Sequence, residues 1–409
     1  MEIKSLHYDL PQTLNAYRPP AAVVAPYLHA AQDTGIKDIL MAWPRTVFVD
    51  LAFEQVLQKI DYEIKAPRDK FAQEEALHVV WSEQFKEFLE GYGSPEENVI
   101  VNGNPVYELY RPPYNGYFPP RQQLANDFNL DSSKRWIFIP ENFGAAFFPE
   151  SRIKKYMKLG TSETDIRNYK HFATESLQWT AQWLKKAGEE NDVEIIVRPR
   201  PSTPKADFER FCREAAGAFP PNIHIIKDGT VREWIIASDL VGSSYSTTLI
   251  EAAVAQREIF MLAPVPFPAF MHNDWFGMVP HVRSYGDLLS VINNPASQDN
   301  WKPLHNWAVS TMLGKGDVFI NLANLLARIY HHDEIIPRRV YRRKHLVGVT
   351  EASLLYRSKR FLSRLRDHVS GRVTTAEKRT VKNPRDLEAD RFETEDVESS
   401  VERWRLVLQ

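Results

Sequence analysis

Short β-branched and aromatic runs alternate along this chain with longer stretches whose apolar positions recur every three or four residues. Residues 21–25 (AAVVA) read as a buried strand, 29–34 as a helical stretch and 39–43 (ILMAW) as a second strand. Trp43-Pro44 closes that strand, and 47–64 is expected to be largely helical, carrying Asp50, Glu54, Asp61 and Glu63. Residues 77–82 (LHVVWS) give a strand leading into a helix over 83–92. Val99–Val101 gives another, ended by the turn Asn102-Gly103-Asn104-Pro105. The stretch 111–121 (RPPYNGYFPPR) is dense in Pro, Tyr and Gly and reads as a linker.

A second series of the same kind follows. Residues 136–140 (WIFIP) form its first strand, and a long helix over 163–188 sets Phe172, Leu177, Trp179, Trp183 and Leu184 near one stripe. Strands are expected at 195–197, 223–226, 238–242 and 258–262, then an aromatic, Pro-rich loop over 264–276 and helices at 285–293 and 307–331. Such alternation predicts an α/β protein with parallel sheets in two domains, 1–120 and 121–336. The first begins abruptly, because a complete Rossmann-like half usually has further strands before this point. From Pro337 the character changes. Leu354, Leu355, Phe361, Leu362, Leu365 and Val369 recur at helical spacing, with Arg357, Lys359, Arg360, Arg364 and Arg366 largely off that stripe. Residues 337–409 are therefore expected to form a basic amphipathic helix and a poorly ordered tail, the latter over 372–400.

Composition narrows the function classes. A chain of 409 residues is too long for one core, and 43% hydrophobic with 25% charged residues is the balance of an ordinary globular protein. A net charge of −2 argues against bulk electrostatic binding to nucleic acid. The single cysteine, Cys212, excludes an intramolecular disulfide framework and a Cys-based zinc site. No apolar run is long enough to span a bilayer and the N-terminus lacks a signal-peptide core, so a cytoplasmic protein is expected. His331-His332-Asp333 lacks a third ligand at sensible spacing, and no metal is expected.

The candidate chemistry lies in 194–251. Ligands of open parallel sheets bind beyond the carboxyl ends of the strands. Two such ends carry Arg198 and Arg200, and the hydroxyl cluster Ser243, Ser244, Ser246, Thr247 and Thr248, which opens directly into an apolar helix. Guanidinium forks, hydroxyls and a helix N-terminus together suit a phosphate or diphosphate. Ser246 or Thr247 would also serve as an ordinary helix cap, but capping needs neither consecutive hydroxyls nor two nearby arginines. Asn142 and Gly144 follow another strand end, where backbone could approach the same ligand. Glu141, Asp50, Asp61 and Glu54 are candidates for a general base, each open to the plainer reading of a structural or solvated carboxylate. His29 and His272 are lone histidines that could equally be structural.

Three pieces of the chain carry a family resemblance: VVWSEQFKEFLEGYGSPEENVIVNGNPVYELY, IIVRPRPS, and EWIIASDLVGSSYSTTLIEAA, in that order over roughly 75–265. The chain resembles the bacterial surface-carbohydrate glycosyltransferases of the GT-B class. It is similar in particular to capsule-type Kdo and polysialic-acid transferases and CDP-glycerol glycerophosphotransferases. The resemblance implies two Rossmann-like domains facing a cleft, with the donor held mainly by the second. Arg198 and the Ser243, Ser244, Ser246, Thr247 and Thr248 hydroxyls would then hold donor phosphates, and Glu251 would accept ribose hydroxyls. The implied partners are a nucleotide-sugar donor (CMP-, CDP- or UDP-linked) and a glycan or lipid-linked acceptor, with peripheral contact to the inner membrane face through 338–382. No cofactor or metal is implied. Arg200 departs from the family, which has histidine there. An arginine still clamps phosphate but cannot act as a neutral imidazole or a proton donor. The alternatives that stay open are a nucleotide-sugar epimerase or glycerophosphotransferase on the same fold, and a catalytically silent nucleotide- or glycan-binding assembly partner.

Overall fold

The computed structural model describes residues 14, 18–33, 35–56, 65–158, 160–293, 299–341, 345 and 394–408. They divide into two compact units. Residues up to 56, with 65–105 and 311–345, form the first; residues 106–310 and 394–408 form the second. Each is built on a parallel sheet, as the alternating pattern predicts.

The first unit holds four strands in sequence order, β1 (Ala22–Ala25), β2 (Val47–Asp50), β3 (Leu77–Val80) and β4 (Val99–Val101). Two expectations fail here. Residues 39–43 do not form a strand; the helix Ile36–Ala42 occupies that place, and Val47–Asp50 forms a strand where a helix was expected. A five-residue apolar run fits either state, and spacing decides it. Ile36, Ile39, Leu40 and Trp43 fall on one helical face and pack with Val23, Ala25, Phe48 and Phe71. Residues 29–33 are turns, and the helix begins after Gly35, whose φ of 84° suits glycine. VFVD is strand because it lies between β1 and β3 with every residue buried. Phe48 points into the cluster on one face, while Val47 and Val49 point into another with Leu77 and Val79.

That second face is covered from far along the chain. The helices Val318–His331 and Arg338–Tyr341 bring Leu325, Ile329, Ile336 and Val340 onto it. The single helix expected over 307–331 is two, Lys302–Met312 and Val318–His331, because Gly314 and Gly316 interrupt it. At Gly314 a Cβ would stand 2.0 Å from the Asn102 carbonyl oxygen, and Gly103, at φ +93°, faces it equally closely. The turn after β4 and the 311–318 segment therefore close on each other through glycine.

The second unit holds six strands, β5 (Arg135–Pro140), β6 (Val193–Arg198), β7 (Ile223–Ile225), β8 (Leu240–Ser243), β9 (Glu258–Leu262) and β10 (His281–Val282), in the order β10-β9-β8-β5-β6-β7. The chain starts at β5, winds outward through β6 and β7, then returns to β5's other side at β8. The sheet's switch point thus lies at β5, between β6 and β8. The helix Glu163–Glu190, 28 residues and about 42 Å long, packs Ala173, Leu177, Leu184 and Ala187 toward the sheet. The helix Val231–Ala237 places Trp234 fully buried against Phe128, Trp136 and Phe138.

Residues 111–121 lie within this unit, where Tyr114 is buried; the chain crosses between units after Pro105. The expected tail over 372–400 is corrected at its end, because Thr394–Val407 is a helix. The basic segment 338–382 lies, apart from 338–341 and His345, outside the described residues. No helix among the described residues is long and apolar enough to cross a membrane.

Candidate functional site

The carboxyl ends of β5, β6 and β8 stand side by side at the switch point, and the residues just beyond them form the candidate site. Pro140 is in register with Arg198 on β6, and Ser243 donates its hydroxyl to the Pro140 carbonyl at 2.7 Å. Ser243 is therefore spent on holding β8 to β5. Glu141 is buried just past β5. One carboxylate oxygen takes the Phe143 N–H and the other takes the Arg200 N–H at 3.1 Å, while its own N–H donates to the Arg198 carbonyl at 2.9 Å. Burial pushes its pKa up, and the two N–H donors and the Arg200 charge oppose that. With both oxygens engaged, Glu141 pins the 141–148 loop against the end of β6.

The loop is held from its other side as well. Tyr245 donates its hydroxyl to the Asn142 carbonyl at 2.7 Å and lies 2.8 Å from the Tyr169 hydroxyl. Arg200 lies across Gly144, where a Cβ would come 3.2 Å from its Nη1. Glycine at 144 lets the guanidinium rest on the loop, and a side chain there would displace it.

Arg198 is half-buried, and its Nη2 donates to the Gly229 carbonyl at 2.6 Å. Its Nε is buried with no partner among the described residues. Burial lowers its pKa, while Glu233 and Asp228 act the other way. Ser244, almost fully buried at the end of β8, also has a hydroxyl with no partner among the described residues. Arg198 and Ser244 thus stand at the ends of β6 and β8, the two strands that flank β5. Ser246 and Thr248 pair with each other, Oγ to Oγ1 at 2.9 Å, and the Ser246 oxygen accepts the Thr248 N–H. Thr247 is exposed and makes no side-chain cap to the seven-residue helix Thr248–Val254.

Glu251 is half-buried one turn into that helix and accepts the Tyr110 hydroxyl at 2.6 Å. Burial raises its pKa, offset by Arg232 and by Tyr110. Tyr110, Tyr169, Tyr245, Gly229, Glu233 and Arg232 are not among the sequence candidates, although Tyr110, Tyr245 and Glu233 stand inside the stretches that carry the resemblance.

Asp50 belongs to the first unit and is buried at the end of β2. It takes the Ala52 N–H at 3.0 Å and faces His78 Nδ1 at 3.0 Å, while His78 Nε2 meets the Ala72 carbonyl at 2.7 Å. Its carboxylate supports the turn at Ala52, which has a φ of 41°. Asp50→Ala is expected to cost about 1–3 kcal/mol of stability by stranding a buried histidine nitrogen and the Ala52 N–H. A urea-unfolding midpoint equal to wild type would contradict that. His29, after β1, is half-buried; burial pushes its pKa below the usual histidine value, with Asp50 acting the other way. Beside it, burial and Glu54 push the Tyr27 hydroxyl up to about 12. Asp61 lies outside the described residues.

No protein-family model matches the sequence, and no curated protein matches it. Some solved structures are similar to it. The UDP-GlcNAc 2-epimerase from Neisseria meningitidis bound to UDP-GlcNAc is 13% identical, over 78% of this chain and 79% of that one, with a TM-score of 0.49. The S. aureus MnaA–UDP co-structure is 11% identical over 76% of this chain and 75% of that one, with a TM-score of 0.46. The wall teichoic acid polymerase TagF is 12% identical over 71% of this chain and 70% of that one, with a TM-score of 0.44.

Proposed function

We propose that the chain is a glycosyltransferase that moves a sugar from a nucleotide-activated donor to a growing cell-surface polysaccharide or glycolipid. The observation that carries this is the placement of Arg198, Arg200 and the Ser244, Ser246, Thr247 and Thr248 hydroxyls at or just beyond the ends of β6 and β8, the strands on either side of β5 at the switch point. Guanidinium and hydroxyl donors suit the phosphates of a donor, and Arg200 on Gly144 adds a second cation. Glu141 and the Asn142 backbone position these groups. Ser246, Thr247 and Thr248 remain the hydroxyls open to the same donor, and Glu251 the acceptor of its ribose hydroxyls. A basic contact with the inner membrane face through 338–382 belongs to the same reading, since a lipid-linked acceptor lies there.

In the reaction, an acceptor hydroxyl attacks the sugar's anomeric carbon as the bond to the donor phosphate breaks. Arg198 and Arg200 neutralise the charge that builds on the leaving phosphate. The proton from the attacking hydroxyl passes to the leaving phosphate.

Nucleotide release from CMP-, CDP- and UDP-linked donors, followed with and without a glycan acceptor, tests the function. The proposal expects release that depends on acceptor. Interconversion of the donor sugar without acceptor would make the chain an epimerase instead, and transfer of glycerol phosphate would make it a glycerophosphotransferase.

A further inference from the structure

The hydroxyl cluster after β8 contains one residue with no part in holding phosphate, Tyr245. Its ring is packed from two elements. The centroid lies 6.0 Å from that of Phe172 on the helix Glu163–Glu190 and 6.4 Å from that of Phe267 in the loop after β9. At its tip the hydroxyl lies 2.7 Å from the Asn142 carbonyl and 2.8 Å from the hydroxyl of Tyr169, also on that helix. A carbonyl only accepts, and a phenol has one hydrogen to give. That hydrogen goes to Asn142, so the Tyr245 oxygen accepts from Tyr169. Burial and the neighbouring Tyr169 push the Tyr245 hydroxyl well above the usual phenol range, and the hydrogen is kept.

The chain of hydroxyls ends on the backbone of the 141–148 loop, two residues before Gly144. Arg200 is tied to that loop twice. Its N–H donates to Glu141 at 3.1 Å, and its guanidinium lies along Gly144, with Nη1 3.2 Å and Cδ 3.5 Å from where a Cβ would stand. The far end of the loop is held at Phe148, whose carbonyl accepts Lys170 Nζ at 2.7 Å and whose ring meets Tyr169 edge-on at 6.2 Å. Between these anchors Tyr245 holds the Asn142 carbonyl. Its one hydrogen is spent there and is not available to a phosphate, so its effect on a ligand runs through the loop.

We propose that Tyr245 is a positioning residue of the donor site: through the chain from Tyr169 to Tyr245 to Asn142 it sets the loop on which Arg200 rests, and with it the place of one of the two guanidinium groups that meet the donor phosphates. This rests on the reading of Arg200 as a phosphate ligand. A loop already fixed before the ligand arrives spares the ligand the cost of ordering it. The SSYSTT string then holds residues of three kinds. Ser243 joins two strands, Tyr245 seats a loop, and Ser244, Ser246, Thr247 and Thr248 are left for the phosphates.

The test uses the full chain, titrated calorimetrically with CMP, CDP, UDP, GDP and TDP, as wild type, Tyr245→Phe, Arg200→Ala and the double variant. Phenylalanine keeps the ring against Phe172 and Phe267 and removes only the hydroxyl. Binding is expected to weaken about three- to tenfold in Tyr245→Phe, with no further loss when the change is made on Arg200→Ala. Amide hydrogen exchange over 143–147 without nucleotide should be faster in Tyr245→Phe. Thermal midpoints check that the variants fold, and Tyr169→Phe takes the place of Tyr245→Phe in the same cycle should the latter not fold. Wild-type affinity in the folded variant overturns the positioning role and leaves the donor site standing. A loss repeated in full on Arg200→Ala does the same, because it marks a general structural effect. No binding by wild type removes both.

Discussion

Arg198→Ala is expected to weaken nucleotide binding roughly ten- to a hundredfold without lowering the stability of the unliganded protein. The magnitude follows from the charge-assisted hydrogen bonds lost, about 1.5–3 kcal/mol, at about 1.4 kcal/mol per tenfold. The unliganded fold should tolerate the change because, among the described residues, the guanidinium has a buried Nε without a partner and a single hydrogen bond, to a loop carbonyl. Arg198→Lys should recover part of the loss, since an ammonium keeps the charge and gives up the fork. Calorimetric titration of the three proteins decides it. Arginine and alanine variants with equal affinity would show that the end of β6 does not hold the donor.

Trp234→Ala should have the largest effect on stability, about 3–5 kcal/mol. Its indole is fully buried, with ring centroids 5.0 Å from Phe128 and 6.4 Å from Trp136. Trp136 and Phe138, which pack on it, are held within β5. The indole N–H also donates to the Asp228 carbonyl at 3.1 Å, tying down the loop whose Gly229 receives Arg198. Trp234→Phe should keep most of the packing and lose about 1 kcal/mol with that bond. Denaturant midpoints measure both, and an alanine variant within 1 kcal/mol of wild type would contradict the packing account.

The second sheet was legible in the sequence because its central strands are buried on both faces. Ile195-Ile196-Val197 and the run from Trp136 to Ile139 are short, continuous and apolar, with polar or Pro-containing turns beyond them. The same kind of signal misled in the first unit. ILMAW and VFVD are both short apolar runs, and only the spacing back to Ile36 and the burial of VFVD between two strands distinguish them. The terminal helix was hidden for another reason. Its composition is that of a solvated tail, and its ordered position rests on Trp404 meeting Tyr117, far upstream.

The site divides in the same way. The arginines and the hydroxyl cluster were visible because they follow strand ends, and strand ends are where such sheets bind ligands. The division of labour among the hydroxyls was not visible. Ser243 is spent on a carbonyl of β5, 103 residues away, and the Ser244 hydroxyl has no partner among the described residues, a difference the SSYSTT string does not carry. Asp50 likewise reads in sequence as one carboxylate among several. Its pairing with His78 depends on β2 lying beside β3.

The central claim is that a nucleoside diphosphate binds at the ends of β5, β6 and β8. It is tested most directly by thermal shift of the wild-type chain with CMP, CDP, UDP, GDP and TDP. Occupancy adds stability in proportion to RT ln(1 + [L]/Kd), about 2.7 kcal/mol at a hundred times Kd. The account predicts a clear rise in midpoint with one diphosphate or a related pair, a weaker rise with the corresponding monophosphate, and a smaller rise with both in Arg198→Ala. No rise with any of the five nucleotides at millimolar concentration would contradict it.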